Sequence, residues 1–291
     1  MTLSSATLEN AAPKMDDLVR RIKDISTLPH VAVQVIKVAS DERSGVAELK
    51  EIMESDVALS ARILRCVNSA AFAVTVKITN LQQAISYLGM KQVRNLAMTA
   101  SVAELFKKNE TIGPYRRLDL WRHVVAVGIC ARLIAMRRKI ADFEDAFLAG
   151  LMHDLGIVLE DQHVHAQFSA MIESLDAQKT LAETERACLG FDHTILGERV
   201  AEEWKFPEPV KIAIRYHHNP VSYRGSSINL LRCVEVANLI CTLKGISSVG
   251  MKLVPVCGPA ISGLGLTRDD IAVLAEDLDG EIQRNASLFT L

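Results

Sequence analysis

Apolar residues recur along this chain at helical spacing. Val31, Val35 and Val38 share one helical face behind Leu28-Pro29, and the segment ends in the polar stretch 40–45. A second helix is predicted over residues 46–53. Asp56 then reads as the N-cap of a third, which presents Leu59, Ile63, Leu64 and Val67. Asn80 followed by Gln83 predicts a capping box, with Gly89 as the matching stop. Residues 91–106 form a longer amphipathic segment that runs into the polar stretch 107–110 and Gly113-Pro114, the clearest break in the chain. Beyond it, helices are predicted over 120–136 and 143–159, twice between 164 and 189, and over 193–204, 207–216 and 228–243. Thr267 and Asp270 predict a capping box opening the last helix. No stretch joins strict alternation to a tight-turn signal, so the predicted fold class is all-α. The predicted organisation is a leader over 1–24, helical halves over 25–110 and 115–245, and a helical extension over 246–291.

Composition narrows the picture. With 49% hydrophobic residues in 291, the chain can bury a substantial core. Thirty-three basic against 35 acidic residues leave a net charge of −2, so no overall positive field exists to hold a phosphate backbone, and no nucleic-acid partner is expected. The six cysteines are scattered without a C-x-x-C pair and read as reduced core residues. The first residues lack the basic start and apolar stretch of an export signal. The most apolar runs, 124–131 and 146–152, fall far short of the roughly 20 residues a membrane helix needs. A cytoplasmic protein without a membrane span is expected.

The candidate chemistry lies in the histidines. Five of the eight, with one aspartate, form a spaced set: His123, His153-Asp154, His193 and His217-His218. His153-Asp154 interrupts an apolar sequence, Ala-Phe-Leu-Ala-Gly-Leu-Met before it and Leu-Gly-Ile-Val-Leu after it. A carboxylate buried there without a partner would be costly. Neighbouring helical positions point about 100° apart, so both side chains can approach one centre. His123 precedes the apolar run 124–131, and His193 opens a helix with a Leu196, Val200, Trp204 stripe. Imidazoles from several helices with one carboxylate suit one or two divalent transition-metal ions, iron, manganese or zinc. The same residues can also satisfy one another as a metal-free polar core, and a histidine at a helix end, such as His217 or His218, can simply interact with the helix dipole. His30, His163 and His165 read as surface or packing residues.

The ordered set His, His-Asp, His, His-His resembles the metal-dependent HD and HD-GYP phosphohydrolases. The wider sequence resembles the narrower HDOD family. Leu28-Pro29, the stretch from Ser55-Asp56-Val57-Ala58-Leu59 to Val67-Asn68-Ser69-Ala70, and Ala84-Ile85-Ser86-Tyr87-Leu88-Gly89 are similar to its N-terminal half. Asp192-His193-Thr194-Ile195-Leu196-Gly197-Glu198, Trp204-Lys205-Phe206-Pro207 and Ala213-Ile214-Arg215-Tyr216-His217-His218-Asn219-Pro220 continue the likeness, which covers roughly residues 25 to 245. It implies an HD-like helical bundle with an added N-terminal helical subdomain. It also implies a bacterial signal-transduction domain, usually without demonstrated catalysis.

Three departures from the hydrolase pattern bear on mechanism. The resemblance implies a lysine three residues after the aspartate, where this chain has Ile157. The Gly-Tyr-Pro element is absent after His218, and a late aspartate of many HD sites is replaced by Asn238, a weaker ligand for a cation. The leading expectation is therefore a regulatory module, acting by contact with a signalling protein and not by catalysis. The competing expectations are a metal-dependent phosphohydrolase acting on a nucleotide or phosphodiester, and an iron-based redox sensor using the same ligands. Neither a specific partner nor an oligomeric state is legible.

Overall fold

Asp56, Thr180 and Thr267 each turn a side-chain oxygen onto the free N–H groups of the helix that follows, and Thr180 and Thr267 do so as complete capping boxes. The computed structural model describes residues 14–25, 30–41, 43–108, 110–176, 178–250 and 258–290. It is an all-α fold. The first half contains α1 (Met15–Ile25), α2 (His30–Ser40), α3 (Val46–Glu54), α4 (Val57–Val67), α5 (Leu81–Leu88) and α6 (Met90–Val102). The second contains α7 (Arg117–Arg138), α8 (Phe143–Met152), α9 (Leu155–His163), α10 (His165–Glu173), α11 (Leu181–Leu189), α12 (His193–Glu203), α13 (Glu208–Tyr216) and α14 (Ile228–Leu243). Two helices close the chain, α15 (Gly258–Gly263) and α16 (Arg268–Arg284). None is long and apolar enough to cross a membrane among the described residues.

One apolar core runs through both halves. Its axis is α7, buried from Leu120 to Ala135 at nearly every position and flanked by α8, α14 and α16. Glycine makes the α7–α8 contact close. A Cβ on Gly150 would stand 2.8 Å from the Gly128 Cα and 2.9 Å from the Val127 carbonyl oxygen, so no larger residue fits without separating the helices. Buried polar pairs tie α6 to α8: Arg94 donates to Asp145 at 2.9 Å and Asn95 donates to Glu144 at 2.7 Å. At the C-terminal end, Trp121 of α7 donates its indole N–H to the Phe289 carbonyl at 3.2 Å.

The structure departs from the sequence expectations at four places. The helix predicted over 143–159 is broken: α8 ends at Met152, Asp154 leaves helical geometry at φ −102°, ψ 19°, and α9 starts at Leu155. The break after α6 holds a small antiparallel ribbon, Thr111–Ile112 with Tyr115–Arg116, turned through Gly113 at φ +51°. It is anchored on α9, because the Tyr115 hydroxyl and the Arg117 Nε–H both donate to buried Asp161, at 2.9 and 2.6 Å. The Asn80 cap is half a box: Asn80 accepts from the Gln83 N–H, while the Gln83 side chain accepts from the Thr79 N–H instead. Cys130, Cys233 and Cys241 are buried thiols, but Cys188 is exposed on α11. Leu28-Pro29 and Cys257 lie outside the described residues.

Candidate metal centre

The break between α8 and α9 places His153 and Asp154 at a turn in the middle of the core, both fully buried. Around Asp154 the other candidates converge from separate elements. Its Oδ2 lies 3.1 Å from His153 Nε2 and 3.6 Å from His123 Nε2 on α7. Its Oδ1 lies 3.2 Å from His217 Nε2, after α13, and 3.6 Å from His193 Nε2 at the start of α12. His218 completes the set, with its Nε2 3.0 Å from His193 Nε2. Two groups of ligand atoms result, each within 4.8 Å: His123, His153 and Asp154; and Asp154, His193, His217 and His218. Asp154 is common to both.

Gly156 delivers His193 to this position. A Cβ there would fall 2.0 Å from the His193 carbonyl oxygen, so α9 meets the first turn of α12 backbone against backbone. Asp192 caps the same helix, accepting from the N–H groups of Thr194 and Ile195.

The far ring nitrogens of four of the five histidines are engaged. His123 Nδ1 lies 2.6 Å from the Ile246 carbonyl and His153 Nδ1 lies 2.7 Å from that of Gly150. His217 Nδ1 lies 3.0 Å from the Ile214 carbonyl and His193 Nδ1 lies 2.6 Å from Glu185 Oε2. A carbonyl only accepts, so Nδ1 carries the proton in His123, His153 and His217, and each Nε2 lone pair faces Asp154. Burial, with His153 beside it, pushes His123 down to about 4. Burial likewise lowers His217, and burial with the neighbouring His217 and His193 takes His218 well below the usual range. Burial would raise Asp154, but the His153 and His217 imidazoles, when protonated, hold its carboxyl well below the usual carboxylate range. His193 differs. Burial lowers it, yet the Glu185 carboxylate on its Nδ1, with the Asp154 and Asp192 charges, outweighs this and holds it up at about 9.

The Nε2 atoms of His123, His153 and His217 and both Asp154 oxygens are buried without a hydrogen-bond partner. Orphaned polar atoms of this kind cost about 1–3 kcal/mol each. Imidazole nitrogens around a shared carboxylate, four of the five rings fixed from behind, are the donor set that divalent transition metals take, so the residues fit such ions. Asn238 is buried on α14, where its Oδ1 accepts from Thr242 at 3.4 Å; no hydrogen bond joins it to the cluster among the described residues.

Two carboxylates escaped the sequence reading. Glu185 holds His193, and Glu160 on α9 lies behind Glu185, fully buried. Burial first, then the Glu185 charge, holds the Glu160 carboxyl well above its usual range. Glu185 stands midway between the buried Leu181 and Leu189 of its helix, four residues from each, and that spacing was the available signal. His163 is half-buried, His30 is exposed, and His165 lies 3.0 Å from Asp161, so none of the three joins the centre.

The HDOD domain profile matches residues 25–220, and the chain belongs to that family. An uncharacterized protein of Treponema pallidum is 24% identical over 230 residues, 75% of this chain and 42% of that protein. A Vibrio cholerae protein named cyclic di-GMP phosphodiesterase CdgJ is 25% identical over 208 residues, 72% of this chain and 38% of its own length. The chain thus spans less than half of the curated relatives it matches. An HDOD domain protein of unknown function from Geobacter sulfurreducens has the same fold at TM-score 0.76 and 25% identity, covering 94% of this chain and 98% of that one.

Proposed function

We propose that this chain is a regulatory signal-transduction module that carries a divalent metal centre and acts by binding another protein, without turning over a substrate. The observation that carries this reading is the sealing of the centre: His123, His153, Asp154 and His193 are fully buried and His217 is 2% exposed. Ile157, where the hydrolase pattern has lysine, is also fully buried. The helices over residues 25–110, which have no ligand in the centre, are proposed as a separate half that presents the partner surface. His123, His153 and Asp154 would hold one ion, and His193, His217 and His218, with Asp154 shared, a second. Iron, manganese and zinc all suit these ligands. A bound ion supplies Lewis acidity and, where water reaches it, a lowered water pKa. Here the protein's own groups orient the imidazoles and keep bulk water from all of the centre but the half-buried His218.

The test is a broad phosphoester panel with metal-loaded protein, read beside its metal content. Full loading without turnover supports the regulatory reading. Turnover abolished by Asp154→Asn would replace it with a metal-dependent phosphohydrolase. That second reading has its own support, because six candidate ligands lie close enough together to hold metal and His218 is half-buried, giving the centre one edge near solvent.

A further inference from the structure

A cavity of about 460 Å³ opens at the half-buried His218, lined by Thr180, Glu183, Arg186, Thr194 and Arg215 among others. Asp192 is engaged at both carboxylate oxygens and Glu183 at one. Glu183 accepts from the Thr180 N–H and hydroxyl at 2.8 and 2.9 Å to close the α11 capping box. Asp192 Oδ1 accepts from the Thr194 N–H and hydroxyl and the Ile195 N–H, while its Oδ2 accepts from Arg186 Nη1. The basic groups are held in place but not used up. Arg186 is committed through Nη1, and Arg215 through Nη1 to Thr194 at 3.0 Å and Nε to Glu198 at 3.2 Å. A guanidinium has five N–H donors, so each arginine retains donors beyond these bonds. The wall therefore offers spare guanidinium donors fixed by carboxylates, beside acceptors that are occupied at both Asp192 oxygens and at Glu183 Oε2.

From this arrangement we infer that the cavity binds a small tetrahedral oxyanion of the phosphate type, free or as a terminal phosphomonoester, between Arg186 and Arg215 and against His218. Guanidinium N–H pairs match the oxygens of such an anion, and positioning by Asp192 and Glu198 reduces the entropy lost when it binds. The inference rests on the metal-centre reading only for the additional attraction of cations beneath His218; the arginine pair stands without it.

The experiment is calorimetric titration of the full chain, metal-loaded and metal-free, with inorganic phosphate and separately with phenyl phosphate. Variants Arg186→Gln, Arg215→Gln and Arg215→Lys are titrated alongside, with metal content and thermal melting recorded. Each glutamine variant should bind about tenfold more weakly, the worth of one charge-assisted hydrogen bond, and Arg215→Lys should recover part of the loss. Tighter binding of phenyl phosphate would identify a phosphomonoester, and equal binding the free anion. Arginine-dependent binding in a chain that takes up no metal would retain this proposal while removing the metal centre. Absence of binding by the wild-type chain at millimolar anion, or equal binding by folded glutamine variants, would overturn it.

Discussion

Glu185 grips His193 twice, its Oε2 accepting the backbone N–H at 2.9 Å and bonding ring Nδ1 at 2.6 Å. One carboxylate oxygen thereby fixes both the start of α12 and the orientation of its first side chain, whose Nε2 is left facing Asp154 and His218.

Replacing Glu185 by glutamine keeps the size and removes the charge. Metal affinity should fall about 10–100-fold, as with other partners that orient a ligating histidine. Chelator competition measures it. Because Glu185, with Asp154 and Asp192, outweighs burial in holding His193 at about 9, a cation must displace a proton there. Wild-type uptake should strengthen as pH rises toward 9, and Glu185→Gln should shift that dependence to lower pH. An unchanged pH profile would refute the role given to Glu185.

Glu160 lies behind this pair with its carboxyl held well above the usual range, by burial and then by the Glu185 charge. A carboxyl with a raised folded pKa contributes its stability below the unfolded value and loses it as pH rises toward the folded one. Glutamine imitates the neutral form. Glu160→Gln should therefore melt near wild type at about pH 4 and increasingly above it as pH rises from the ordinary glutamate value. Thermal melts across pH test this, and a gap that shrinks with pH would contradict it.

Metal-free protein should be labile to acid. Burial, with His153 beside it, depresses His123 to about 4, and burial likewise lowers His217 and His218. On unfolding these rings take up protons below about 6.5. Their contribution is present above that pH and lost as pH falls toward 4, where Asp154, held low by His153 and His217 against the effect of burial, still favours the folded state. His193, held at about 9 by Glu185 against the effect of burial, works in the opposite direction, and its contribution fades as pH rises from 6.5 to 9. Urea midpoints at a series of pH values should show a fall below pH 6.5, reduced by bound metal.

Gly156→Ala tests the approach of α9 to α12. Its Cβ would fall 2.0 Å from the His193 carbonyl oxygen, a clash with backbone that no rotamer relieves. The variant should lose about 2 kcal/mol or more of stability and release metal more readily. Denaturant unfolding and chelator release read the two effects.

Much of this was legible in the sequence because helix ends carry side-chain signatures. The caps at Asp56 and Thr267 are residues whose oxygens have one evident use. The six candidate ligands were legible because His153-Asp154 is costly in an apolar run unless something meets it, and the structure brings the other histidines to Asp154. The break at Asp154 was hidden because the stretches on either side of it, 146–152 and 155–159, are apolar on every side and leave no phase to lose. Glu160 was hidden for the opposite reason, since a glutamate beside Asp161 near a helix end reads as a solvated face. The ribbon at Thr111–Ile112 is too short for alternation to show, and Asp161 that anchors it lies 46 residues from Tyr115.

The most direct measurement of the central claim is elemental analysis of the full chain after anaerobic reconstitution with iron, manganese or zinc, beside an Asp154→Ala variant whose melting shows it is folded. The account predicts one or two equivalents of metal in the wild type and a marked loss in the variant, because Asp154 faces both groups of histidines. A wild-type chain that takes up none of the three metals, or a folded variant that retains the full complement, would contradict it.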